Sequence, residues 1–307
     1  MIEILRCGPL TTVQDGGRHG LRHLGVPAAG ALDDWALARL NALLGNPPEA
    51  AALELVAGPL ELRIEREGWL ALCGAPFEMR LDGHPLRPEW RWPCRAGQVL
   101  RLDGPLSGQR ALLGFAGGLA LPSVLGARAT DLRSGFGGLH GRALRKGDRL
   151  ALGPAARLHG VRGLRTPEWD GRLRALPGPE LAALDLRSRD ALWSEAWRVE
   201  PQSDRMGLRL SGPLLSLRRP LELASTAVLP GTLQLPPAGQ PIALLADAGT
   251  TGGYPRVAIV IAADVWKLAQ ARPGSALRLQ PCTLEAARAA RAQRQHELAL
   301  QRRALVD

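Results

Sequence analysis

Residues 60–115 read LELRIEREGWLALCGAPFEMRLDGHPLRPEWRWPCRAGQVLRLDGPLSGQRALLGF. Short strand-like runs lie at 60–66, 69–73, 77–81, 98–102 and 110–115 with Gly or Pro between them, and apolar and polar residues alternate clearly at 60–66 and 77–81. A period of two puts every second side chain on one face, the pattern of half-buried strands joined by tight turns. Similar runs lie outside this stretch, at 2–6, 149–152, 172–176, around 209, 227–229, 233–235, 242–246 and 257–262. Helical spacing is confined to a few places. The clearest is 33–45, where Asp33 is an N-cap and Gly45 a stop. Further helices are expected at 122–126, 187–197 and 263–270, and 283–305 reads as a solvent-facing helix or a partly ordered tail. The fold class is therefore mainly β with a few helices.

A chain of 307 residues exceeds what one core usually holds and suits two packed domains. The pattern restarts after 153–167. Residues 96–102 (AGQVLRL) echo 273–279 (PGSALRL), each a turn followed by a strand, as duplicated β-rich halves would produce. The expected division is 1–155, 165–282 and an Arg/Ala-rich helical tail at 283–307.

The formal net charge of +10 comes almost entirely from arginine, a charge that attracts nucleic acid or anionic ligands. Aromatic residues are only 4%, and no basic helix has base-reading spacing, so no nucleic acid partner is expected and codon usage in a GC-rich genome explains the arginine better. Cys7, Cys73, Cys94 and Cys282 form no CxxC pair, and the histidines form no metal pattern, so no metal site is expected. The N-terminal MIEILRCGPL lacks a charged region followed by an apolar run, and no apolar stretch is long enough for a bilayer, so a soluble cytoplasmic protein is expected.

Chemistry-bearing residues concentrate at 234–255, QLPPAGQPIALLADAGTTGGYP. Gln234, Gln240, Asp247, Thr250, Thr251 and Tyr254, the only tyrosine, share this segment with Gly249, Gly252 and Gly253, which can reach left-handed conformations. Two readings are open. The segment is a tight turn whose hydroxyls bond the local backbone, or a site where a carboxylate and uncharged donors polarise an amide. Gln14, Asp15 and Arg18 form a second patch, read as a loop-closing ion pair or an anion or carbonyl site. The glycine-rich 127–148 can cradle phosphate but has no Walker A pattern. In 204–210, Asp204 and Arg205 orient a ligand or pair with each other.

Taken together, these blocks resemble the biotin-dependent carboxyltransferase-like family, also called allophanate hydrolase subunit 2, and within it the oxoprolinase branch. The resemblance is carried by Gly8-Pro9 with Gln14-Asp15 and Arg18, by Gly135-Phe136-Gly137-Gly138, and by Gly141-Arg142-Ala143-Leu144 with Gly147-Asp148. It continues in Asp204-Arg205-Met206-Gly207, Gly239-Gln240-Pro241, and Asp247 with Thr250 to Pro255. The Thr-Thr-Gly-Gly-Tyr-Pro version of the last block selects the branch, since the urea carboxylase branch carries a Ser-Leu-Gly-Gly-Phe version.

The resemblance implies two cyclophilin-like β-barrel subdomains. It implies ATP-dependent opening of 5-oxo-L-proline to L-glutamate, with ATP and Mg shared with a partner subunit. The implied partners are a homologous B-like oxoprolinase subunit and a separate A-like subunit, without which the chain is inactive. Asp247, Thr250, Thr251 and Arg205 are then candidate catalytic residues. Gln14, Asp15, Arg18, Gln234, Gln240, Gly252, Gly253 and Tyr254 are candidate substrate- or nucleotide-binding residues. The chain has no Met-Lys-Met biotin attachment site. Two alternatives attach to the resemblance: a regulatory protein antagonising a histidine-kinase inhibitor, and a carboxyltransferase-type subunit acting on a urea-like substrate. Gly16 replaces a usual apolar residue. Ala127 and Ala129 replace common serines, which removes two hydroxyls that phosphate binding by that loop would use.

Overall fold

The computed structural model describes residues 1–306, grouped in two units. The first unit comprises residues 1–19, 29–168 and the chain from 297 onward. Its elements are β1 (Ile2–Arg6), β2 (Thr12–Gln14), α1 (Asp34–Leu43), β3 (Ala52–Leu55), β4 (Leu60–Ile64), β5 (Gly68–Gly74) and β6 (Glu78–Leu81). They continue with β7 (His84–Leu86), β8 (Trp90–Cys94), β9 (Val99–Asp103), β10 (Ala111–Phe115), β11 (Arg149–Leu150) and β12 (Arg162–Gly163). Two six-stranded sheets result, in the orders β11-β1-β4-β9-β6-β7 and β12-β8-β5-β10-β3-β2.

Alternation along the strands explains the layering. Ile2, Ile4, Leu62 and Leu100 of one sheet share a buried cluster with Leu53, Leu70, Leu72 and Leu113 of the other. The intervening Ala71, Cys73 and Leu112 face the opposite way and pack on Leu40 and Leu43 of α1 and on Leu44, which follows it. Asp33 caps that helix, its Oδ1 accepting from the Ala36 N–H at 2.7 Å, and Gly45 follows the end at φ 61°. Strands β7 and β8 lie where the sequence suggested turns. Pro85 and Pro93 interrupt their alternation and hide them.

The second unit comprises residues 20–28 and 169–296. Its elements are β13 (Arg172–Pro177), α2 (Leu186–Ser194), β14 (Ala196–Val199), β15 (Gly207–Ser211), β16 (Thr226–Ala227), β17 (Thr232–Gln234) and β18 (Ile242–Leu244). After them come β19 (Thr251–Gly252), β20 (Arg256–Val260), α3 (Val265–Ala269), β21 (Ala276–Pro281) and α4 (Leu284–Val306), which runs on into the first unit. Seven strands close a barrel in the order β13-β20-β17-β18-β15-β14-β21, and β16 pairs with β19 in a separate two-stranded ribbon. Buried alternate residues such as Leu173, Val199, Leu208, Leu233, Ala243 and Leu277 belong to the barrel strands. The echo noted in the sequence has a local counterpart: Gly97 (φ 92°) precedes β9 and Gly274 (φ 85°) precedes β21.

Two expected helices are corrected. Residues 122–126 form no helix: Val124 and Ala127 exchange backbone hydrogen bonds across Leu125 (φ 53°) and Gly126 (φ 82°), a tight turn of left-handed residues. The helix expected at 187–197 stops at Ser194, because Glu195 is extended (ψ 163°) and Trp197 belongs to β14. The Trp197 ring is fully buried and its Nε1 donates to Leu192 O, so a barrel strand takes the apolar residue that the helical pattern had claimed. The tail is a continuous helix, with Ala290 packed on Ile261 and Ala263 in the second unit and Leu305 on the α1 cluster in the first.

Two ion pairs generate predictions. Arg39 and Glu89 are 1% and 2% exposed and meet at 2.8 Å, and Glu89 also accepts from the Gly74 N–H. Glu89→Ala strands a buried guanidinium, so urea unfolding should show a loss of about 3–5 kcal/mol. In the second unit, Arg256 holds both oxygens of Glu180 from Nε (3.0 Å) and Nη2 (2.8 Å), and this keeps the Glu180 carboxyl below its ordinary 4.5 despite burial. A depressed folded value means that the stability it contributes is complete above pH 4.5 and is lost as pH falls through the lower folded value. Glu180→Gln should therefore flatten that acid limb in urea midpoints measured against pH.

Candidate functional site

In β15, β18 and β17 the interior-facing residues are Leu208, Ala243 and Leu233, paired across the strands. The next rung is Arg209, Ile242 and Gln234, which points to the other side of the wall. The β17–β20 register shifts at Gln234, which faces Arg256 there. Such an irregularity re-aims a side chain.

A pocket of about 340 Å³ covers this outer rung. Its floor is apolar, with Ile242, Leu244, Val228 and Ala248 forming a small cluster. Gly249, Thr251, Gly252, Gly253 and Tyr254 line it from the segment around β19. Asp204, Met206, Gly207 and Arg209 line it from the start of β15. Asp204 Oδ1 accepts from the Met206 and Gly207 N–H groups, a local turn that presents Gly207 to the pocket.

Gln234 is the unusual group here. It is 7% exposed, and its side chain makes no hydrogen bond with any described residue. Its Nε2 is enclosed next to Gly252, where an added Cβ would lie 2.3 Å from that nitrogen. A buried amide without partners costs about 1–3 kcal/mol. The expectation of left-handed glycines here is corrected: none of Gly249, Gly252 and Gly253 has positive φ. At 252 the missing side chain leaves room for the Gln234 amide.

Residues 204–206 are tied to the turn after β18 by Arg205. Its Nε and Nη2 donate to Asp247 Oδ2 (2.8 Å) and Oδ1 (3.0 Å), both side chains are 10% exposed, and the Asp247 N–H donates to Arg205 O. Arg205 thus takes Asp247, where the sequence offered Asp204 as its neighbour. The two residues position the pocket flanks and are not among its lining. Thr250 supports the same turn, its carbonyl accepting from the Val228 N–H. Gln240 also lies away from the pocket, its Oε1 accepting from the Gly212 N–H and its Nε2 donating to Gly212 O. Of the residues singled out in the sequence, Asp204, Gln234, Gly249, Thr251, Gly252, Gly253 and Tyr254 converge.

Arg22, which sequence reading passed over, belongs to the same unit. Its Nη2 donates to Val228 O and Gly249 O, the backbone of two pocket-lining residues, and burial pulls its pKa below the ordinary value. Arg209 was legible as the polar residue between buried Leu208 and Leu210.

The N-terminal patch lies in the first unit and bonds largely to that unit's backbone. Gln14 Nε2 donates to Thr12 Oγ1 and Thr130 O. Asp15 accepts from the Gly17 and Arg128 N–H groups. Arg18, 1% exposed, donates to Val124 O and Ala129 O, and its guanidinium lies 4.5 Å from the centre of the Phe136 ring. A Cβ at Gly137 would sit 2.1 Å from Ala129 O, and one at Gly138 would sit 1.9 Å from Thr130 Oγ1. These glycines close onto the chain's own atoms. A 400 Å³ hollow beside them is lined by Leu121, Val124, Phe136, Leu139 and His140, with no Arg or Lys in the lining.

Residues 24–281 match the profile described as carboxyltransferase domain, subdomain A and B. The chain belongs to that family. It is 47% identical to the C subunit of 5-oxoprolinase from Escherichia coli over 296 residues, 96% of each chain. It is 40% identical to the corresponding C subunit of 5-oxoprolinase from Haemophilus influenzae over 308 residues, covering 100% of this chain and 99% of that one. The crystal structure of Kluyveromyces lactis urea carboxylase superposes with a TM-score of 0.91 at 24% identity, over 98% of this chain and 29% of that one, which establishes the shared fold.

Gly137, Gly138 and Gly141 of the glycine loop close onto the chain's own atoms, and among the described residues no group of three or more His, Cys, Asp or Glu could hold a metal ion. Among those residues, too, no helix is long and apolar enough to cross a membrane.

The Arg205 fork gives a test of positioning. Asp247→Asn keeps the shape but removes the charge that two guanidinium N–H groups share, and should lower unfolding stability by about 1.5–3 kcal/mol in urea titrations. A proton-transfer role would instead abolish turnover with stability intact.

Proposed function

We propose that this chain is a subunit of an ATP-dependent 5-oxoprolinase, which converts 5-oxo-L-proline to L-glutamate with ATP hydrolysis. The observation that carries the reading is 47% identity to the C subunit of the Escherichia coli 5-oxoprolinase along 96% of both chains. Similarity of that extent covers both units and the helix that ends the described chain, not one shared domain.

The chemistry of the pocket is in keeping with this reading. Amide resonance makes a lactam resistant to water, so its hydrolysis calls for oriented donors and an energy source. The pocket supplies a small enclosure with an apolar floor, an amide without partners and a cation at Arg209. In the proposal this chain binds and orients the ring, and Mg-ATP is held with a partner subunit. The partners are a homologous B-like subunit and a separate A-like subunit, the assembly is cytoplasmic, and the isolated chain is inactive.

The test is ATP-dependent glutamate release from 5-oxo-L-proline, measured for the chain alone, for its co-encoded partners alone and for the mixture. Turnover only in the full mixture is expected. Turnover by the partners without this chain, or a stable complex with no turnover, overturns the proposal, and the second result points to a regulatory role.

A further inference from the structure

We propose that the pocket on the outer wall of the second unit's barrel binds a small cyclic cis-amide bearing a carboxylate, with Gln234 pairing to the amide edge and Arg209 to the carboxylate. The identity of the ligand as 5-oxo-L-proline rests on the oxoprolinase reading above, and the ligand class rests on the geometry.

A primary carboxamide presents an N–H donor and a C=O acceptor side by side. In Gln234 both lack partners among the described residues, although the side chain is nine-tenths buried. An ordinary peptide-type amide is trans, with its N–H and C=O on opposite sides, and can satisfy only one of the two. A small lactam ring forces the cis arrangement and offers both on one edge, so two hydrogen bonds form at once. The match holds for either orientation of the terminal amide. The last torsion of a glutamine is broad, so Nε2 can swing from beside Gly252 to the pocket when such an edge arrives. Glycine at 252 leaves the space in which the amide rests without a ligand.

The second contact follows from register. Gln234 and Arg209 both pair with Ile242, so they lie on one face two strand spacings apart, roughly 10 Å between backbones. Arg209 is exposed, lines the pocket and makes no salt bridge with any described residue. Asp204 also lines the pocket, but one of its oxygens is engaged by the backbone N–H groups of Met206 and Gly207. Ile242, between the two polar residues, offers an apolar surface to ring methylenes. A ligand with an amide at one end and a carboxylate at the other fits within the 340 Å³.

Binding to the full chain, alone and with its partner subunits, is measured by calorimetry for 5-oxo-L-proline, 2-pyrrolidinone and L-proline. These carry both groups, the lactam without a carboxylate, and the carboxylate with a ring ammonium in place of the lactam. Gln234→Leu should weaken 5-oxo-L-proline and 2-pyrrolidinone alike, by about ten- to a hundredfold, and leave L-proline unchanged. Arg209→Ala should weaken 5-oxo-L-proline and leave 2-pyrrolidinone unchanged. General damage to the fold cannot produce this crossed pattern. Absence of binding by every cyclic amide, or affinities that ignore both substitutions, overturns the proposal. If the crossed pattern holds but the assembly releases no glutamate, the site stands and the oxoprolinase reading fails. If turnover holds with KM for 5-oxo-L-proline unchanged in both variants, the reverse is true.

Discussion

The Arg205–Asp247 fork is the interaction on which the pocket depends. It joins residues just before β15 to the turn just after β18, and the same turn is fixed by the Asp247 N–H to Arg205 O. Asp204, Met206 and Gly207 lie beside one end of the fork, and Ala248 and Gly249 beside the other. A guanidinium fork demands one planar geometry from its carboxylate, which a lysine point charge would not. At 10% exposure the pair is screened little by solvent, so it holds both flanks of the pocket at a set separation. Asp247 and Arg205 thus bear on the shape of the cavity without lining it.

The pocket itself illustrates a division between the two faces of a barrel wall. Interior residues such as Leu208, Ala243 and Leu233 satisfy packing and leave no polar chemistry there. Their neighbours one position along must face outward, and the segments 226–228 and 248–254 convert part of that outer face into an enclosure.

Much of the fold was legible because short apolar runs bounded by Gly and Pro are a local signal. Runs at 60–66, 69–73 and 110–115 correspond to β4, β5 and β10, and Asp33 caps α1. The failures have physical causes. Prolines hid β7 and β8, and Trp197 satisfied a helical spacing by chance while its burial was decided by barrel closure. In the site, Gln234, Thr251, Gly252, Gly253 and Tyr254 were visible as a polar, glycine-bearing cluster on one short segment. The partner of Arg205 and the roles of Arg22 and Gln240 were not visible, because they depend on contacts 42, 206 and 28 residues away in sequence. The same holds for Gln14, Asp15 and Arg18, which are buried and bonded to residues 110 or more positions away.

The path of the chain has a consequence for its synthesis. Residues 20–28 leave the first unit to join the second, where Arg22 bonds Val228 O, and the chain from 297 onward returns to the first, where Leu298 and Leu305 pack by Leu40 and Leu43. Neither unit is a continuous stretch of polypeptide. On a ribosome, which delivers residues in order, the first unit lacks its last packing contacts until the end of α4 has emerged. The second includes a segment, residues 20–28, made at least 140 residues before the rest of it. The two halves therefore complete folding together, late, and a gene cut at the midpoint would encode two incomplete pieces.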